Sequence, residues 1–223
     1  MTEFGDYSGW LVFLDVYGFK AMMKESSTSV LTSKLNSCHS VVEKKIDWNG
    51  NGPINFFIQD SIFLFYPVDE ENDKYLMLQK CITDVENIMD IYYKDNLPLR
   101  GGIGYGDITY SKNTIIGDVL IRVLEYESEI LAPLVFLPAS EYVDKIENGK
   151  EYFSVAVPIP KTIKLKSGIR YGTMLLPSPT DGFKDFVCEK CKETALNGPA
   201  KVAEAWKQAY DYICKDMSCK EGD

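Results

Sequence analysis

"LVFLDVYGFK" occupies residues 11–20, and the fold turns on how it is read. Residues 10–16 form an almost continuous apolar run, which suits a central strand covered on both faces. Asp15 stands at the exit of that strand, and Gly18-Phe19 follows after two more residues. Alone, Asp15 reads as a cap for the next helix. A second stretch, "FFIQDSIFLFY" at 56–66, gives that carboxylate a counterpart. Residues 54–66 hold two apolar runs separated only by Gln59-Asp60, the pattern of two strands joined by a two-residue turn.

The segments between and beyond complete a topology. From Gly18 to about Ile46 apolar residues recur at threes and fours (Phe19, Met22, Met23, Val30, Leu31, Leu35, Cys38, Val41, Val42), which predicts one long helix. "DWNGNGP" (47–53) is dense turn chemistry. Residues 69–96 predict a second long helix whose acidic first turn complements the helix dipole, with Pro98 ending it. "LPLRGGIGYGDITYS" (97–111) reads as a strand with close backbone approaches. Strand, helix, hairpin, helix, strand is the βαββαβ order of ferredoxin-like α+β folds. A helix at about 117–131, a strand at "LVFL", a short helix near 139–147 and strands around 151–176 extend it. One or two helices follow at 182–217, broken at "NGP" (197–199). No repeat or linker divides the chain, so residues 1–223 read as one domain with its core at about 8–178.

Composition narrows the function. With 33 acidic against 24 basic residues the net charge is -9. No Lys/Arg cluster offers to displace counterions from a duplex, which argues against a nucleic-acid partner. No apolar run approaches the ~20 residues that span a bilayer. The N-terminal stretch lacks a basic region, so a cytoplasmic location without membrane attachment is expected. Six cysteines are then expected to stay reduced. Cys188, Cys191, Cys214 and Cys219 leave two readings open, a four-thiolate zinc site or ordinary thiols on helix faces. The lone histidine, His39, lies within the first long helix, which disfavours nucleophilic hydrolase chemistry.

In the βαββαβ topology the first strand and the hairpin are neighbours, so Asp15 and Asp60 fall at one end of the sheet. Two carboxylates there can bridge divalent cations that clamp a triphosphate. Gly18-Phe19 opens the next helix and offers backbone N–H groups to phosphates.

These residues resemble the class III nucleotide cyclases. "DVYGF", "QDSIF", the Arg100-Gly-Gly-Ile-Gly-Tyr-Gly strand and the helix-opening Gly117 match that family's motifs across roughly residues 10–140. The Gly-led "GDVLIRVLEYESEILAP" is most similar to the bacterial pyrimidine cyclases of the Pycsar antiphage system. The resemblance implies two Mg²⁺ or Mn²⁺ ions per site on Asp15 and Asp60 with the Val16 carbonyl. It implies β- and γ-phosphates on the Tyr17-Gly18-Phe19 turn and a triphosphate contact from Arg100. It further implies a head-to-tail homodimer with sites at the interface, and a separate effector activated by the cyclic product.

Base selection falls at two positions in that family. Four residues before the second Asp, adenylate cyclases carry Lys and this chain has Phe56; three before the helix-opening Gly, they carry Asp and this chain has Thr114. Losing both charges suits a pyrimidine, with UTP favoured over CTP, although Phe56 equally fits a strand core. The chain also departs from the purine enzymes, whose helix Asn and transition-state Arg are replaced by Ile121 and Glu125. Arg122 is the basic candidate on that helix. Alternatives are a purine cyclase, or a degenerate cyclase fold that binds nucleotide with little turnover.

Overall fold

The computed structural model describes residues 4–46, 53–70, 73–111, 114–130, 132–142, 161–177, 180–197 and 200–218. β1 (Phe4–Val16) is 13 residues long because its neighbours on both sides pair with it. β2 (Ile54–Ile58) and β3 (Ser61–Pro67) form the hairpin, with Ile58 opposite Ser61 and Gln59-Asp60 as its two-residue turn. Gln59 takes a positive φ of 57°, the left-handed geometry that lets so short a turn close. β4 (Leu99–Ser111) carries a short partner, β5 (Thr114–Ile116). β6 (Val135–Pro138), β7 (Lys161–Leu165) and β8 (Gly168–Leu175) complete the sheet. The order is β2-β3-β1-β4-β6-β8-β7, with β5 on β4. Its first four strands have the ferredoxin-like arrangement, each antiparallel to the next.

Alternate residues of β1 feed two different cores. Trp10, Val12, Leu14 and Val16 face the larger one. It is closed by α2 (Thr28–Lys45) and α3 (Lys74–Lys94). Leu11 and Phe13 face the other side, under α4 (Asp118–Glu129). That helix lies directly on β4: a Cβ at Gly102 would come within 2.6 Å of Tyr126 Cβ and 2.8 Å of the Val123 carbonyl. Glycine at this position is what admits the close approach. A third core joins β6–β8 to α5 (Thr180–Asn197) and α6 (Ala200–Ser218) through Phe136, Phe183, Val187 and Trp206.

Several expectations need correction. The single helix over 18–46 is two: α1 (Phe19–Glu25) ends at Ser26, and α2 begins after the extended Ser27. Serine favours such boundaries over helix interiors. Met23, Val30 and Val41, counted as core by periodicity, are exposed. The acidic first turn of α3 does not exist, because the acidic residues precede the helix. That helix ends at Lys94, before Pro98, and Asn96 just beyond it has a φ of 58°, the left-handed conformation that terminates helices. Of the short helix near 139–147 the described residues form one 3-10 turn, Ala139–Glu141. Residues 143–160, including the start of the predicted 151–176 strands, lie outside the described residues. So does Cys219, and with it the test of the four-thiolate reading; Cys188 and Cys191 are free thiols.

Candidate active site

The site is built at the exit of β1. Asp15 stands opposite Ser61 on β3 and opposite Arg100 on β4, so three strands deliver three polar side chains to one level of the sheet. The end of β1 is stitched to both neighbours beyond the ladder. Val16 N–H donates to the Asp60 carbonyl at 3.3 Å, and Tyr17 N–H to the Pro98 carbonyl at 2.7 Å. Leu14 and Val16 are fully buried on either side of Asp15. Each contributes about 2 kcal/mol of apolar burial, which anchors a carboxylate that burial itself disfavours.

Burial and the charge of Asp60 both act on Asp15. The Asp15 pKa is pushed up to about 6, chiefly by burial and then by the negative charge of Asp60, with Glu127 adding to the effect. Ser61 Oγ donates to Asp15 Oδ1 at 3.0 Å and, with Arg100, pulls the other way. Arg100 Nη2 lies 3.8 Å from Asp15 Oδ2, while its Nε meets Glu127 Oε1 in an ion pair not aligned as a hydrogen bond. Burial also raises the Glu127 pKa, which Arg100 and then Lys166 oppose. Glu127 and Ser61 are participants the sequence reading missed. Ser61 was legible as the residue beside Asp60 that the hairpin register sets against Asp15. Glu127 was legible only as the third member of the buried 119-123-127 face of α4.

Past Asp15 the chain turns through Gly18, at φ 80°. Nothing lies within 4 Å of where a Cβ would stand, so glycine is required here by backbone conformation and not by space. Tyr17, on that turn, has the Arg100 guanidinium 5.7 Å from its ring and packs edge-on against Trp206 of α6 at 5.8 Å. Asp15, Val16, Tyr17, Gly18, Phe19, Asp60 and Arg100 all line one cavity of about 870 Å³, a size that admits a nucleotide. The C-terminal helices form part of its wall through Phe186, Lys190 and Trp206.

The donor set suits a hard divalent cation. Carboxylate oxygens are what Mg²⁺ and Mn²⁺ prefer, and a cation between Asp15 and Asp60 relieves the repulsion that raises the Asp15 pKa. Among the described residues no group of three or more His, Cys, Asp or Glu side chains gathers to hold a metal. Cations held here would take their remaining oxygens from backbone, water or phosphate.

The other predicted residues sit elsewhere in the same chain. Phe56 is mid-strand in β2 opposite Phe63, half-buried, with its ring 5.6 Å from Tyr110. Thr114 is exposed at the start of β5. Arg122, on α4, is fastened to the middle of β4. It donates to the Tyr105 carbonyl and lies 3.5 Å from Glu141, which also accepts from Tyr105 N–H and Tyr126 Oη. Arg122, Gly117 and Tyr105 line a second cavity that does not include Asp15 or Asp60. One chain thus holds the metal-type carboxylates in one cavity and Arg122 in another.

No family model and no curated protein matches the chain. Solved structures do. The guanylate cyclase domain of a rhodopsin-guanylyl cyclase from Catenaria anguillulae, in complex with GTP, is 18% identical with a TM-score of 0.55, over 78% of this chain and 98% of that one. The catalytic core of a rhodopsin-guanylyl cyclase with converted specificity, in complex with ATPαS, is 19% identical with a TM-score of 0.53, over 79% of this chain and 100% of that one. A bacterial light-regulated adenylyl cyclase is 13% identical with a TM-score of 0.54, over 78% of this chain and 52% of that one. No helix among the described residues is long and apolar enough to cross a membrane. The chain has the fold of the class III nucleotide cyclase catalytic domains.

Proposed function

We propose that this protein is a nucleotide cyclase that converts a pyrimidine nucleoside triphosphate, UTP before CTP, to its 3′,5′-cyclic nucleotide and pyrophosphate. One observation carries the reading: Asp15 and Asp60 line one nucleotide-sized cavity that also holds Arg100, and burial together with the Asp60 charge raises the Asp15 pKa. Asp15, Asp60 and the Val16 carbonyl would hold two Mg²⁺ or Mn²⁺ ions. Bound there, the ions would acidify the 3′-hydroxyl and neutralise phosphate charge. The Tyr17-Gly18-Phe19 turn receives the β- and γ-phosphates, and Arg100 adds a fixed positive charge beside them. The 3′-oxygen attacks the α-phosphorus in line, the bond to pyrophosphate breaks, and most of the acceleration comes from positioning and electrostatics.

A second copy of the chain completes the site in this reading. Ile54, Phe56 and Phe63 leave the sheet face beside α4 only partly covered, and Ile58, Ile121 and Leu124 are exposed. A head-to-tail homodimer covers such a surface and presents Arg122, Phe56 and Thr114 of one copy to the carboxylates of the other. Phe56 offers a stacking face for a small base and Thr114 one hydrogen bond. The cyclic product would act on a separate effector in antiphage defence, as the resemblance implies.

The neighbours in complex with GTP and ATPαS favour a second reading, a purine substrate on the same machinery. Incubation with each of ATP, GTP, CTP and UTP plus Mn²⁺, beside Asp60→Ala, separates the readings by mass spectrometry. Cyclic UMP or cyclic CMP that vanishes in the variant supports the proposal. Cyclic AMP or cyclic GMP moves it to the purine reading. No cyclic product from a folded dimer overturns catalysis and leaves a nucleotide-binding module.

A further inference from the structure

We propose that Lys190, carried on the C-terminal helix α5, binds the polyphosphate tail of the substrate within its own chain. The inference rests on the nucleoside triphosphate reading of the cavity and adds to it a contact that the cyclase motifs, which end near residue 140, do not contain.

The need for another cation follows from charge. Two divalent ions offset Asp15, Asp60 and only half of a fully ionised triphosphate, so the phosphate end of the cavity requires further positive groups. Five basic side chains line the cavity, Lys20, Lys34, Arg100, Lys166 and Lys190; Lys20 is exposed on α1, and three of the others are already committed. Lys34 Nζ donates to the Asp95 carbonyl at 2.9 Å, Arg100 is shared between Glu127 and Asp15, and Lys166 Nζ donates to the Ser128 carbonyl. Lys190 is held differently. Its partner is Glu193, one turn along the same helix at 2.8 Å, with a carboxylate side chain 59% exposed. A pair so open to water is weak, so a phosphate oxygen can displace Glu193 at little cost. A lysine–phosphate contact is charge-assisted and stronger.

Packing places the ammonium where it is wanted. Trp206 bridges Tyr17 of the Asp15 turn to Phe186 of α5, at ring distances of 5.8 and 5.6 Å. Lys190 lies one helical turn beyond Phe186, with its Nζ 6.0 Å from that ring. The aromatic stack thus fixes α5 against the turn predicted to hold the phosphates, and Lys190 lines the same cavity as Asp15 and Asp60.

The test is calorimetric titration of the full-length protein, in Mn²⁺, with inorganic pyrophosphate and with tripolyphosphate. Lys190→Ala is expected to weaken both about tenfold, and Lys190→Arg to stay within about threefold of wild type. Lys192→Ala, the same charge change on the same helix but outside the cavity, is expected to bind as wild type. Equal weakening by Lys190→Ala and Lys192→Ala overturns the inference, since it reduces the effect to bulk charge. Unchanged binding by Lys190→Ala when wild type binds also overturns it. If wild type binds neither probe, the triphosphate reading itself fails, and this inference with it.

Discussion

Arg100 and Arg122 both pin α4 to β4, yet they answer to opposite demands. Arg100 emerges from the strand, ion-pairs with the buried Glu127 and lies beside Asp15 in the carboxylate cavity. Arg122 emerges from the helix, reaches back to the strand at Tyr105 and keeps Glu141 for company. In the same chain Arg100 lies beside Asp15, whereas Arg122 lines a cavity that holds neither Asp15 nor Asp60. The contrast teaches that, under the proposed chemistry, Arg122 would have to serve the carboxylates of a second copy.

That contrast can be broken by experiment, and the largest effect comes first. Asp60→Ala removes one of the two carboxylates and is expected to lower cyclic product formation by at least about 10³-fold. Next, Arg100→Ala and Arg122→Ala are each expected to cost about 10²-fold in kcat, as loss of a transition-state charge donor does. Mixing chains then separates the two. Asp60→Ala with Arg122→Ala should regain activity, since one site of the mixed dimer is intact, whereas Asp60→Ala with Arg100→Ala should stay inactive. Complementation by both mixtures, or by neither, would dissolve the contrast.

The smaller effects are on stability. Glu127→Gln leaves Arg100 with Asp15 alone but also removes a carboxylate whose ionised form burial disfavours, so it is expected to cost less than about 1 kcal/mol in denaturant unfolding. Asp15→Asn should go the other way. The folded-state pKa of Asp15 is raised to about 6, so its ionised form is disfavoured by folding. The cost is absent below the unfolded pKa near 4, grows between about pH 4 and pH 6, and is constant above that. In metal-free protein at pH 7.5, Asp15→Asn is therefore expected to gain about 2 kcal/mol, a gain that fades toward pH 4. A variant that is more stable but inactive would show that the carboxylate is kept for chemistry. Gly18→Ala, forced into a left-handed φ, should cost about 1 kcal/mol and no more.

How much of this was legible in sequence depended on range. The hairpin was readable because Gln59-Asp60 is flanked by apolar runs that fix its register locally. β1 was readable from its apolar run, and its exit carboxylate from the turn after it. The break at Ser26-Ser27 was missed because apolar spacing continues across it while the serines favour an interruption. Met23, Val30 and Val41 kept the helical period, yet no described element covers them. Glu127 was legible as a buried-face residue, but its ion pair was not, because Arg100 reaches it only through sheet pairing and helix packing. The C-terminal wall was invisible for the same reason: nothing near Trp206 in sequence announces Tyr17.

The Tyr17–Trp206 contact also sets an order in time. Synthesis delivers Tyr17 well before Trp206, so the cavity lacks one wall until α6 has been made. A nascent chain with β1 to β4 already paired still has its carboxylate pair open to solvent on the α6 side. Closure of that wall waits for α6, however early the sheet has paired.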